Sequence, residues 1–407
     1  MTPRYVPLVL GAALVVACPR TPAPRTTDPN ANTPPVATAD AGAAPSPDDD
    51  VAAWNRAARA GAVTDTVHGT PVSDPFRTLE TDSPATRTWI DQQTRRSERY
   101  LAARASPARE RRLSELLDIG SMATPSPAGG RIFYRRRDAG QEQFVLMVTD
   151  PRPATAAPTT AWNNPHVLID TTRDAARYGE RAAIDWYVPS PRGRYVVFGT
   201  SQNGDERSTL RVIEVATGRV LDEAIAHTKW CRLAWLPNES GFYYTRYPKE
   251  NETGYDAERP DTYWRRMYFH RIGITPDGAG DPLVFEGTER TDAPSPYVSA
   301  DGRWLVVNLF KGWTKSEVLL VDRNARVAAG QKPRAVPVAV GHESLNHGAV
   351  YRGRLYLHTN RDAPKYRILA ASADALYRTA PPPVNGVSPQ AIPPEGPWRI
   401  VVPEREH

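Results

Sequence analysis

From about residue 120 onward one pattern of apolar and polar positions keeps returning. An apolar or aromatic residue leads into a Ser/Pro/Asp turn with glycine. A strand of aromatic and β-branched residues follows. The instances are ATPSPAGGRIFYRRR, DWYVPSPRGRYVVFGTS, LAWLPNESGFYYTRY, PYVSADGRWLVVNLF and HGAVYRGRLYLHTNR. Their turn glycines are Gly130, Gly193, Gly241, Gly302 and Gly353, spaced by 63, 48, 61 and 51 residues. After most of them comes a further strand: QFVLMVTD, STLRVIEVATG, YFHRIG, SEVLLVDR and YRILAAS. Each unit is therefore about four short strands. One such sheet cannot bury both of its faces alone, so units of this length stack side by side. The pattern predicts a mainly β fold, a β-propeller of about five four-stranded blades over 120–407.

Ahead of the strands the period changes. Residues 51–119 predict a short α-helical segment. Asp82 or Ser83 is placed to cap a helix, with Pro84 at its first position. Trp89, Gln93, Ser97, Tyr100 and Leu101 then share one face. A second helix, PARERRLSELLDI, runs to about Ile119. Residues 19–50 hold eight prolines and almost nothing large and apolar, which predicts a disordered tether. Tyr5 to Ala17 is an apolar run of thirteen after Arg4, too short to span a bilayer and suited to a signal segment over 1–18.

That run ends in Val15-Val16-Ala17-Cys18, which resembles the lipobox of bacterial lipoproteins, where a cysteine carries lipid and becomes the new N-terminus. The resemblance implies lipidation at Cys18 and a lipid anchor in the bacterial cell envelope, in the periplasm or at the outer membrane. The chain has two cysteines. With Cys18 lipidated, Cys231 has no partner, and its strand-like setting in KWCRLAWL makes it a small core residue. The formal charge of +5 is scattered, with no basic stripe interleaved with aromatics, which excludes nucleic acid as the expected partner.

The stretch VSDPFRTLETDSPATRTWIDQQTRRSERYL resembles the N-terminal segment of the prolyl oligopeptidase family. The matching residues are Val72, Asp74, Pro75, Phe76, Arg77, Leu79, Glu80, Trp89, Ile90, Gln93, Tyr100 and Leu101. Thr78 and Thr94 depart from the usual Trp and Asn. Later blades are similar to that family's propeller, in DWYVPSPRGRYVVFGTSQNGDERSTLRVIEVATGRVL, LAWLPNESGFYYTRYP, TNRDAPKYRIL and WRIVVPERE. The resemblance runs from about residue 65 to the end. It implies a seven-blade type of propeller, of which about five blades are recognisable here. It also implies a serine endopeptidase that cuts short peptides after proline. Its Ser-Asp-His triad would lie in an α/β-hydrolase domain, which these residues are not expected to contain.

The candidate chemistry agrees with that expectation. Gly199-Thr200-Ser201-Gln202-Asn203 begins like a G-x-S-x-G nucleophile elbow, but Asn203 stands where glycine is required. His342-Glu343-Ser344-Leu345-Asn346-His347 places its histidines five apart, one more than a zinc H-E-x-x-H helix uses. Asp301 with Arg303, and Asp205 and Glu206 before Arg207, are expected to be solvated turn residues. Trp186, Tyr187, Trp235, Tyr243, Tyr244 and Trp304 are expected in the blade core. No catalytic, metal or cofactor-binding residue is assigned. Two functions follow. Complemented by a hydrolase domain on a second polypeptide, the chain would act on short proline-containing peptides. Alternatively it is a non-catalytic propeller lipoprotein that binds a peptide or protein partner.

Overall fold

The computed structural model describes residues 59, 61–151, 162–326, 333–379 and 397–405. The expected signal segment and tether, with Cys18, lie outside the described residues. The chain divides into two compact units, the first up to Ser106 and the second from Pro107.

In the first unit, strands Val63–Val67 and Thr70–Asp74 form a hairpin. His68 and Gly69 turn it, both with positive φ, as a two-residue loop requires. Asp74 then organises the chain reversal. Its carboxylate accepts from the Phe76 amide at 2.8 Å and from Arg77 Nε at 3.0 Å. Arg77 also pairs with Asp65. A helix spans Pro84–Ala102, and Ser83 is its N-cap, accepting from the Thr86 amide at 3.1 Å. Trp89 and Gln93 are half-buried. Ser97, Tyr100 and Leu101, expected on the same face, are exposed, since nothing within this unit covers the last helical turns.

The second unit starts with the helix Pro107–Leu117. Five antiparallel sheets follow in chain order. Blade I has strands Arg131–Arg137, Val145–Val148 and His166–Ile169. Its first strand is split into Ser121–Met122 and Ser126–Ala128, both paired to Arg131–Arg137. Pro125 falls in the gap, where it has no amide hydrogen to give the ladder. Blade II has Ala182–Pro189, Tyr195–Gln202, Thr209–Glu214 and Arg219–Val220. Blade III has Leu233–Trp235, Gly241–Arg246, Arg266–Arg271 and Leu283–Phe285. Blade IV has Ala293–Val298, Trp304–Phe310, Ser316–Asp322 and Ala335–Ala339. Blade V has Asn346–Tyr351, Arg354–Thr359, Arg367–Ser372 and Arg399–Val402, with a short helix, Ala373–Thr379, before the last. Gly130, Gly193, Gly302 and Gly353 stand with positive φ in the turn between a first and a second strand. Gly241, expected in a turn, instead opens the second strand of blade III, and Glu239 takes the positive φ there.

The core lies between blades. Phe133, Leu146 and Val148 of blade I pack with Ile184, Val196 and Phe198 of blade II. Val197, Leu210 and Val212, from the other face of blade II, pack with Trp235, Phe242 and Tyr244 of blade III. Alternate residues of Tyr195–Gln202 thus serve two cores, which is why its central residues are all buried. The same rule joins blade III to IV and IV to V. Among the described residues no buried cluster joins blade V to blade I.

Aromatic tips bolt neighbouring blades together. The Tyr187 hydroxyl donates to the Phe133 carbonyl at 3.2 Å. Trp235 Nε1 donates to the Val188 carbonyl at 3.2 Å, and the Tyr297 hydroxyl to Val350 at 3.3 Å. The hairpin turns also touch. Gly129 has φ +56°, and a methyl group there would overlap the Arg192 carbonyl of the next blade. The substitution Gly129→Ala is therefore expected to destabilise the blade I–II pair by about 2 kcal/mol, from backbone strain and displacement of the turn. Chemical unfolding of the variant checks this.

Candidate functional site

Successive strands of a meander run in opposite directions. The loops joining second to third strands, and the connections between blades, therefore emerge at one end of every sheet. At blade III that end is unusually built up. Residues 247–265 form a long insertion between its second and third strands. Connections 221–232 and 286–292 flank it.

Charged groups clamp the insertion. Arg246, on a buried strand position, makes a two-pronged pair with Glu252 at 2.7 and 2.6 Å. The bond to Arg246 holds the Glu252 carboxyl down at about 2. Arg266 holds Glu286 at 2.7 Å and the Thr253 carbonyl at 2.8 Å. His227 binds the buried Asp261 through Nδ1 at 2.7 Å, and its Nε2 lies 3.6 Å from Glu250. The bond to Asp261 raises the His227 pKa above its ordinary value, against the opposing effect of burial. His227, Trp230, Asp261 and Trp264 all have positive φ, so this loop end is held in a conformation that non-glycine residues rarely take.

Between the clamps lies an open cavity of about 480 Å³, bordered by Tyr255, Glu258, Tyr263, Trp264 and Arg290. Arg259 and Arg290 stack on Tyr263, with 5.5 and 4.4 Å to its centroid. Beside the insertion, Trp230 is 56 % exposed, and Lys229 lies over its ring. On blade IV the corresponding loop shows Trp313 at 92 % exposure. In the same loop the Lys311 side chain is largely enclosed, 3.0 Å from Asp292 and 3.2 Å from Glu289. The loop end thus offers two exposed indoles among fixed charges. Trp230 and Trp313 were not singled out from the sequence. Their surroundings read like strand and turn, and only the positive φ of one and the loop position of the other bring them out.

The residues weighed from the sequence fall elsewhere. Ser201 is buried in the second strand of blade II and donates to Asp185 at 2.9 Å. No helix follows it at Asn203, so there is no elbow. Asp205 caps a turn through the Arg207 amide, and Glu206 pairs with Lys229 at 3.4 Å. His342 lies in the connection before blade V and His347 in its first strand. Among the described residues no cluster of three or more His, Cys, Asp or Glu is arranged to hold a metal. Arg303 is no free turn residue. It binds Asp322 at 2.8 Å and Asp374 at 2.7 Å, joining two blades. Cys231 is buried, and burial pushes its thiol up to about 12, so it is inert. Trp186, Tyr187, Trp235, Tyr243, Tyr244 and Trp304 all lie in or against the inter-blade cores.

A radial series of four-stranded meanders whose cores lie between neighbours defines a β-propeller. The sequence profile of the prolyl oligopeptidase N-terminal β-propeller domain matches residues 55–407, and the chain belongs to that family. A prolyl endopeptidase of Elizabethkingia meningoseptica is 27% identical over 317 residues, covering 75% of this chain and 41% of that protein. Prolyl oligopeptidase A of Galerina marginata is 25% identical over 317 residues, covering 73% and 42%. The chain thus spans well under half the length of these relatives. Among solved structures, prolyl oligopeptidase B of Galerina marginata, bound to a 35-residue hydrolysis and macrocyclisation substrate, superposes with a TM-score of 0.66. The identity there is 20%, over 84% of this chain and 47% of that one. A prolyl endopeptidase analysed for inter-domain dynamics also gives 0.66, at 24% identity, over 84% and 45%.

Proposed function

We propose that this chain is the peptide-admitting propeller of a prolyl oligopeptidase-type serine endopeptidase, which cuts short peptides after proline. Lipid on Cys18 holds it at a bacterial cell envelope. The observation that carries the proposal is a family match over residues 55–407, which spans both the helix Pro84–Ala102 and the blades. The insertion, with the exposed indoles of Trp230 beside it and Trp313 on blade IV, supports placing peptide at the loop end of blades III and IV. Acyl transfer needs a serine, a base to take its proton and an acid to orient that base. Among the described residues Ser201 meets an aspartate but no imidazole. Those three groups therefore come from a hydrolase domain outside these residues.

A fluorophosphonate probe, which captures activated serines, tests this division of labour. Incubated with this chain and a hydrolase-domain polypeptide together, it is expected to label only the latter. A labelled serine in this chain would overturn the proposal.

A further inference from the structure

Three arginines meet where the blade III insertion joins its strands, and only two are neutralised. Arg246 is matched by Glu252 and Arg266 by Glu286. Arg265 is different. One of its terminal nitrogens, Nη1, donates to the Trp230 carbonyl at 3.0 Å, and its guanidinium lies 5.8 Å from the Tyr247 ring centre. Its Nε is enclosed and unpaired, and among the described residues it touches no carboxylate. Burial, and then the like charge of Arg232, push its pKa down. Arg232 is exposed, and its guanidinium has no ion pair among the described residues. Nearby acids are already engaged: Glu206 with Lys229, Asp261 and Glu250 with His227.

An enclosed cation without a counter-ion costs stability unless something supplies the charge. Here Arg265 is tied to the Trp230 carbonyl, Arg232 follows two residues further along the chain and lies near enough to act on Arg265 as a charge, and the indole is exposed. A planar carboxylate is the group that a guanidinium binds best, and the indole offers an apolar wall for the chain that bears it. We infer that Arg232 and Arg265, beside Trp230, form a carboxylate-binding subsite that selects peptides with an acidic residue. The identity of the occupant as a peptide rests on the function proposed above.

The test compares acetyl-Glu-Gly-Pro-amide, acetyl-Gln-Gly-Pro-amide and acetyl-Gln-Gly-Pro with a free terminus, bound to the whole chain and read by tryptophan fluorescence. The glutamate peptide is expected to bind about tenfold more tightly than the glutamine amide. Arg265→Met and Arg232→Gln are each expected to remove most of that difference. A gain by the free-terminus peptide alone supports the subsite with a chain end as the source of its carboxylate. Equal binding of all three overturns the subsite and leaves the peptide-binding function standing. If no peptide binds, that function fails, and glutarate decides the subsite alone. Quenching by glutarate that Arg265→Met abolishes supports it, and no quenching overturns it. Thermal unfolding separates a structural role: Arg265→Met is expected to lower Tm less than Arg266→Met, and an equal loss would make Arg265 a packing residue and overturn the proposal.

Discussion

Replacing His270 with alanine is expected to cost the second unit about 3–5 kcal/mol, because it leaves two buried carboxylates facing each other without their cation. His270 is fully buried on the third strand of blade III. Its Nδ1 lies 2.9 Å from Asp281, in the loop before the fourth strand. Its Nε2 faces Glu223, from the connection after blade II, at 3.8 Å. That distance is too long for a hydrogen bond, so Glu223 acts on it as a charge. Tyr244 and Thr275 also donate to Asp281, at 2.9 and 2.7 Å, and the Gly273 amide donates to Glu223 at 2.7 Å. Burial alone would lower the His270 pKa, but Asp281 and then Glu223 outweigh it, and the imidazolium is favoured.

The sign of the pH dependence follows. The stabilisation is complete below the unfolded histidine value of 6.5. It is lost as pH rises through the higher folded value. Urea unfolding at about pH 5 and about pH 9 should therefore show a larger difference for the wild type than for His270→Ala. His227 shares the direction, so the variant retains part of the slope. A variant as stable as the wild type at low pH would mean that the triad is neutral and contributes nothing.

Trp304→Ala is expected to cost about 3–5 kcal/mol as well, and to spend it on one interface. The side chain is 1% exposed, at the start of the second strand of blade IV. It packs with Val350, Leu355, Leu357 and Leu376 of blade V. Tyr377 meets its ring edge-on with 5.8 Å between centroids, and Arg303 lies over it at 4.4 Å. Because each blade shares a core with its neighbours only, the loss should stay local. Hydrogen exchange is expected to quicken in 346–379 while blades I and II keep their protection. Trp313→Ala, at the exposed loop position, should change neither. Uniform loss of protection through all five blades would contradict nearest-neighbour stacking.

Much of this architecture is visible in the sequence, for physical reasons. Gly130, Gly193, Gly302 and Gly353 mark a hairpin in four blades because the tight first turn repeats and demands a positive φ each time, while in blade III Glu239 takes that conformation and Gly241 begins the strand. The helix cap at Ser83 and Pro84 is local, and needs nothing beyond four residues to specify it. What could not be read is what joins one repeat to the next. Tyr187 reaches Phe133 across 54 residues, Trp235 reaches Val188 across 47, and Tyr297 reaches Val350 across 53. These are one blade apart, so the aromatics look like core while their polar tips have no visible partner. The His270 triad draws on two connections whose course no local pattern fixes. Trp230 and Arg265 stand 35 residues apart and meet only because the insertion folds back. Tyr100 and Leu101 show the opposite case: a clear helical face that their own unit leaves exposed.

The central proposal is that this chain supplies the propeller, and a separate hydrolase domain the catalytic groups, for peptide cleavage after proline. The most direct measurement is hydrolysis of a short chromogenic Gly-Pro substrate by the purified chain, alone and with a polypeptide carrying a prolyl oligopeptidase-type hydrolase domain. No turnover alone and turnover in the mixture is the predicted result. Turnover by the purified chain alone would contradict it.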